Sequence, residues 1–313
     1  MTDGVIPSPD VPEAIPDPSA SLMPRRTWLR RIGRAAFGSA AVAGTTVAYT
    51  LWVEPHWLEF VERDLPVLGL PADWEGKRLA QISDVHVGAQ VSDAYIIDSF
   101  RRVTELAPDV VVVTGDFVSH RSRRRPVSDE QLHGVYRHLP QGKLATIGIL
   151  GNHDYGPSWS DLRAADRLTR LLEEHRLRML RNETAQLNGL EIVGLEEYWS
   201  SRWDLPQGLG SSTPGAPRIV LCHNPDGADL DGWEGFQGWI LSGHTHGGQC
   251  KPPFLPPPLL PVRNKHYTAG EFDLFDGRRM YINRGLGHLL QARFNVRPEV
   301  TIFRLVGARQ QEA

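Results

Sequence analysis

The run Val110-Val111-Val112-Val113-Thr114 constrains the fold more than any other stretch of this chain. Five successive β-branched residues suit a strand buried on both faces, as inside a parallel sheet, and Gly115-Asp116 punctuates its end. Upstream, residues 94–106 place Ile96, Ile97, Phe100, Val103 and Leu106 at helical spacing, and Pro108 closes that helix. Residues 78–84 alternate as a strand, residues 131–139 read as the next helix and residues 144–150 as a third strand. The order predicts a βαβαβ beginning with parallel strands and right-handed crossovers.

Beyond a helix predicted over 161–172, short strands are expected at 191–195, 218–222, 239–242, 279–282 and 300–305. Their spacing predicts a second sheet packed on the first. Residues 252–261, Pro-Pro-Phe-Leu-Pro-Pro-Pro-Leu-Leu-Pro, must form an apolar loop, because proline removes ladder and helix donors. With 313 residues, 41% hydrophobic and 23% charged, the chain falls in the globular range. A net charge of −3 without a long basic stripe argues against a nucleic-acid polymer as partner. Cys222 and Cys250 are too far apart for a Cys-x-x-Cys motif, so any metal must be held by nitrogen and oxygen.

The amino-terminal region has a different character. Residues 1–24 carry six prolines, four acids and no Lys or Arg, a composition expected to stay disordered. Arg25-Arg26-Thr27-Trp28-Leu29 then precedes a weakly apolar run over 35–53, which looks like a twin-arginine export signal and implies the twin-arginine translocation machinery as partner. The run is also near the minimum length that spans a bilayer. Two outcomes stay open: an anchor retained in the membrane, or cleavage near Ala41-Val42-Ala43. Either implies an exported, extracytoplasmic body. Residues 54–71 mix aromatics, charges and prolines and are expected to form a linker to a catalytic domain over 72–308.

Chemistry-bearing residues collect where the apolar runs stop: Asp84-Val85-His86, Gly115-Asp116, Gly151-Asn152-His153-Asp154, Cys222-His223-Asn224 and Gly243-His244-Thr245-His246. Loops at the carboxyl ends of strands are where α/β sheets build their sites. Each cluster alone is an ordinary turn or surface histidine; five at five successive strand ends are not.

This set resembles the calcineurin-like metallophosphoesterase superfamily, whose blocks read D-x-H, G-D, G-N-H-D/E, H and G-H-x-H. The resemblance implies an α/β fold, a four-layer αββα sandwich of two mixed β-sheets. It also implies two divalent metal ions, with Asp84, His86 and His246 holding one, Asn152, His223 and His244 the other, and Asp116 bridging them. His153 is implied as the acid or electrostatic partner of the reacting phosphate, and Asp154 as its orienting carboxylate. The extended forms Gly243-His-Thr-His-Gly-Gly-Gln249, His223-Asn-Pro-Asp226 and Asn283-Arg-Gly-Leu-Gly287 are similar to a subgroup of exported or membrane-associated bacterial phosphoesterases. A purple acid phosphatase is disfavoured, because Ser119 stands where those enzymes carry a tyrosine ligand.

Nitrogen and carboxylate donors suit Mn, Fe or Zn without ranking them. Two such cations about 3.5 to 4 Å apart can bring a bridging water towards neutrality and clamp attacking and leaving oxygens, so no protein nucleophile is needed. The expected reaction is phosphoester hydrolysis, favouring phosphodiester or pyrophosphate bonds in lipid-like or nucleotide-like substrates. A phosphomonoesterase is the alternative within the class, and a catalytically silent scaffold the alternative outside it. Arg121, Arg123, Arg124 and Arg125 follow the Asp116 loop and could grip a second phosphate, or be simply solvated. The 252–261 loop could touch acyl chains or the bilayer, or cover a sheet edge. Tyr198, Trp199 and Trp203 are candidates for the pocket rim or for the core.

Overall fold

The structure, a computed structural model, describes residues 24–119, 127–213, 215–233 and 235–308. The arginines at 121, 123, 124 and 125 and the acidic tail before Pro24 therefore lie outside the described residues. The chain divides into two units, residues 1–47 and 48–313. In the first, helix α1 (Arg25–Ala48) opens on the arginine pair and buries none of its residues. Arg25–His56 is helical throughout and, by length and composition, apolar enough to cross a membrane.

The second unit is built on two six-stranded mixed sheets. The first contains β1 (Glu59–Leu68), β2 (Arg78–Ile82), β3 (Val110–Thr114), β4 (Ala145–Ile149), β5 (Arg178–Met179) and β12 (Glu299–Ala308), in the order β1-β12-β2-β3-β4-β5. From β2 to β5 the strands run parallel, as the crossovers require. The second contains β6 (Glu183–Leu187), β7 (Leu190–Gly194), β8 (Arg218–Leu221), β9 (Gly238–Ser242), β10 (Gly270–Asp273) and β11 (Arg278–Ile282), in the order β10-β11-β9-β8-β7-β6. Its four middle strands are parallel and its two edges antiparallel.

Strand alternation sorts side chains into layers. Val111 and Val113 face helices α2 (Asp93–Glu105), α3 (Asp129–Tyr136) and α4 (Leu162–Glu173), where Ile96, Phe100, Val103, Leu132, Val135 and Leu172 cover them. Val110 and Val112 point the other way and meet Ile192, Ile219, Leu221 and Leu241 of the second sheet. The outer face of that sheet, with Val193, Val220, Ile240 and Met280, is covered by α5 (Leu205–Gly210) and by loop residues Trp233, Phe236 and Tyr267. Each fully buried valine or leucine contributes about 1.5 to 3 kcal/mol, so the three apolar layers carry most of the stability. Ser128 and Asp161 cap α3 and α4 by accepting from Gln131 N–H and from the N–H groups of Arg163 and Ala164.

Two expectations need correction. Residues 54–71 are no linker: Glu59–Leu68 pairs residue for residue with Glu299–Ala308 as the parallel edge of the first sheet. Its charged middle is solvent-facing and Pro66 is tolerated because an edge strand has a free side, features that mimic a linker in sequence. The strand expected at 300–305 exists, but it joins the first sheet, between β1 and β2.

Candidate metal centre

Each donor group sits just past a strand end on one rim of the sandwich: Asp84 and His86 after β2, Asp116 after β3, Asn152 and His153 after β4, His223 after β8, His244 and His246 after β9. Asp84, His86, Asp116, His244 and His246 all adopt left-handed backbone, with φ of 52°, 53°, 55°, 69° and 50°. Such conformations cost about 1 to 3 kcal/mol each in non-glycine residues and persist where surrounding structure holds them. The turns need glycine beside them. A Cβ on Gly151 would stand 2.3 Å from Asp116 Oδ1, and one on Gly243 would stand 1.9 Å from Ser83 Oγ.

The side chains converge into two buried triads, Asp84-His86-His246 and Asp116-His223-His244, each with its donor atoms within 4.8 Å of one another. In the first, His86 Nε2 lies 3.0 Å from His246 Nε2, and His246 Nε2 lies 3.3 Å from Asp84 Oδ1. In the second, Asn152 Oδ1 joins the histidines, 2.9 Å from His244 Nδ1 and 3.3 Å from His223 Nε2. Asp116 Oδ2 stands between the triads, 3.5 Å from His86 Nε2 and 3.4 Å from His223 Nε2. One carboxylate oxygen thus faces both groups.

Outer hydrogen bonds prepare these donors. His223 Nδ1 is 2.7 Å from Thr114 O and His244 Nε2 is 3.0 Å from Pro261 O. Donating a proton outward leaves the other ring nitrogen with its lone pair facing the centre. Ser83 Oγ and His244 N–H donate to Asp84, and His153 N–H donates to Asp116 Oδ1 at 2.8 Å. Burial pushes His86 and His246 well below the ordinary histidine range and His244 down to about 3, so all three are neutral. Burial lifts the Asp84 carboxyl to about 6. At His223 burial is outweighed by the Asp116 carboxylate, which raises the imidazole, while burial of Asp116 is outweighed by His223, His153 and His86, which lower it. Imidazoles, an amide oxygen and carboxylates packed this closely, with no thiolate, fit divalent cations that accept nitrogen and oxygen ligands, and a cation would displace the proton that Asp116 favours on His223.

His153 reaches the rim half-buried, its ring edge-on to His86 with centroids 4.9 Å apart. Asp154 does not act as expected. Its carboxylate accepts from the N–H groups of Phe117, Val118 and Gly151, at 2.8, 3.2 and 2.8 Å, instead of orienting His153. It latches the Asp116 turn to the Gly151 turn. Trp199 does rim the site, edge-on to His244, whereas Trp203 packs against the outer core of the second sheet. Cys222 and Cys250 are both free.

Sequence reasoning missed three contributors. Trp159 stacks on Trp199 with centroids 5.2 Å apart and reaches His153, forming an exposed aromatic pair over the centre. Glu197 is fully buried, with the His223 imidazole and the Asp116 carboxylate among the charges that act on it. Arg293, also buried, donates to the carbonyls of Arg284, Gly285 and Gly287, and so braces the loop whose Leu286 and Gly287 N–H groups bond Ser83 O and Asp84 O. None of the three has a local pattern that marks it.

Two buried donor triads with a carboxylate oxygen between them, on strand ends of a two-sheet α/β sandwich, are the arrangement of a metal-dependent phosphoester hydrolase with a dimetal centre. The chain belongs to the calcineurin-like phosphoesterase family, which residues 77–248 match. It is 31% identical to the uncharacterized metallophosphoesterase YkuE of Bacillus subtilis, covering 90% of this chain and 98% of that one. It is 28% identical to the phosphodiesterase YaeI of Escherichia coli, over 91% and 100% of the two chains. To the UDP-2,3-diacylglucosamine pyrophosphatase LpxG of Chlamydia muridarum it is 27% identical, over 84% and 95%.

Proposed function

We propose that this protein hydrolyses phosphodiester or pyrophosphate bonds of a lipid-linked substrate at the outer surface of a membrane. The observation that carries the two-metal reading is Asp116 Oδ2, nearly equidistant from His86 and His223. Asp84, His86 and His246 would hold one cation and Asn152, His223 and His244 the other, with Asp116 placed to serve both. When bound, Mn, Fe or Zn ions at these positions supply Lewis acidity towards phosphoryl oxygen and a water activated for attack.

The chain's own groups do the rest. His153, on the open side of the centre, donates a hydrogen bond or proton to the leaving oxygen. Asp154 keeps the His153 and Asp116 turns in register through its three backbone bonds. Trp159 and Trp199 shield the centre from bulk water on one side and offer an apolar face to the leaving group. The names of two relatives, a phosphodiesterase and a pyrophosphatase of a diacylated nucleotide sugar, support bonds between phosphate and two substituents over monoesters. The helix over Arg25–His56 supports a membrane anchor, delivered by the twin-arginine route.

The deciding experiment combines metal analysis of purified protein with release assays on bis-4-nitrophenyl phosphate and 4-nitrophenyl phosphate. Two metals per chain and faster diester cleavage are expected. Faster monoester cleavage would return the phosphomonoesterase reading, and metal-loaded protein inactive on both would leave a scaffold.

A further inference from the structure

Beside the metal centre lies a cavity of about 370 Å³ with walls mostly of carbon. Leu259, Leu260, Leu289, Leu290 and Ala292 line it, and so does the buried ligand candidate His246. Two polar side chains along it, Gln249 and Thr245, are already engaged. Gln249 donates to Leu290 O and Ala292 O and accepts from Leu289 N–H, and Thr245 donates to Thr268 O. A polar ligand would find few partners here, so hydrocarbon is the chemistry that fits.

The surroundings say where such a chain comes from. The loop carrying Leu290 and Ala292 also bonds residues 50–54 of the same unit, which follow α1 in the chain. Arg293 N–H donates to Thr50 O at 3.0 Å, Gln291 to Leu51 O at 3.3 Å, and the buried Glu54 carboxylate accepts from the N–H groups of Asn295 and Val296. On the opposite side, Phe254, Leu255 and Leu259 stand exposed on the proline loop, whose Pro261 carbonyl touches His244. One cavity wall thus adjoins the segment that follows the apolar amino-terminal helix, and the other carries exposed apolar side chains.

We propose that this cavity binds an acyl chain of the substrate, admitted between Leu259 and Leu290, while the phosphate of the same molecule lies on the metal centre. The proposal rests on the phosphoester-hydrolase reading of that centre. Each methylene transferred from water into such a cavity improves binding by up to about fourfold.

The test uses the full chain in lipid nanodiscs with ethyl, butyl, hexyl and octyl 4-nitrophenyl phosphates, all below their micelle-forming concentrations. We expect kcat/KM to climb with chain length through a lower KM, and Ala292→Phe, which fills the cavity, to flatten that climb. Leu290→Ser, a milder change at the entrance, should flatten it partly and serves if the phenylalanine variant fails to fold. A wild-type series without chain-length dependence overturns the proposal. So does a climb undiminished in both variants, because the gain would then come from partitioning into the disc. Calorimetry of ethyl- and octylphosphonate binding reads the cavity without turnover. An enzyme that binds octylphosphonate tightly but cleaves none of the esters would therefore defeat the hydrolase reading and keep the cavity.

Discussion

The backbone N–H of His153 donates to Oδ1 of Asp116, leaving Oδ2 of the same carboxylate to face both donor triads. The oxygen that lies between the triads and the placement of His153 are thus governed by two ends of one side chain. Asp116→Asn replaces a shared anion by a neutral amide and should lower metal content at both positions. His153→Ala removes only the ring, keeps the N–H bond, and should retain metal while kcat falls about 10² to 10⁴-fold. Metal analysis beside steady-state kinetics separates the two; Asp116→Asn with two full-occupancy metals would sink the bridging role.

Asp154→Ala tests the latch. Removing the carboxylate leaves buried N–H groups of Phe117, Val118 and Gly151 unpaired, at about 1 to 3 kcal/mol each. Thermal denaturation should show a clear drop in Tm, accompanied by weaker metal retention. If kcat fell while Tm and metal stayed at wild-type values, the orienting role first expected of Asp154 would be restored.

Glu197 predicts a pH dependence. Burial lifts its carboxyl from 4.5 to about 7, so between those values the folded state holds a proton that the unfolded chain has released. Protons bound preferentially to the folded state make stability fall as pH rises through that window. Chelator-treated protein should have a lower Tm near pH 8 than near pH 5, and Glu197→Gln should shrink the difference. An unchanged difference in the variant would assign it to other groups.

Arg25→Lys combined with Arg26→Lys should hold the protein in the cytoplasm while activity survives in lysates, since the paired guanidiniums are what the export route reads. Fractionation decides; normal surface delivery of the double variant would rule the route out.

The residues that converge in the two buried triads could be picked out because metal chemistry restricts residue type more tightly than packing does, and because three of the five strand ends announce themselves by a glycine, Gly115, Gly151 and Gly243. The five strands from 78–84 to 239–242 that carry those donors were legible from their apolar runs for a related reason. β1 was not, because an edge strand that faces water has the composition of a linker. Neither was the membership of β12, because the choice between two sheets is a long-range matter that a six-residue apolar run does not encode. Asp154 misled for a different reason: its partners are backbone amides, and those carry no residue identity. Glu197 and Trp159 owe their places to loops whose course follows only once both sheets are assembled.

Glu59–Leu68 and Glu299–Ala308 lie side by side along their whole lengths, so the start and finish of the catalytic unit are zipped together. Anyone trimming the amino-terminal helix to obtain a protein that dissolves without detergent will be tempted to cut at residue 71, where the linker expected from composition ends. That cut would strip β12 of one of its two neighbours and bare ten residues of ladder, an adhesive edge for the next molecule. Cutting just before Glu59 keeps the zipper closed, though it gives up the bonds of Thr50 and Glu54 to the loop beyond Gln291.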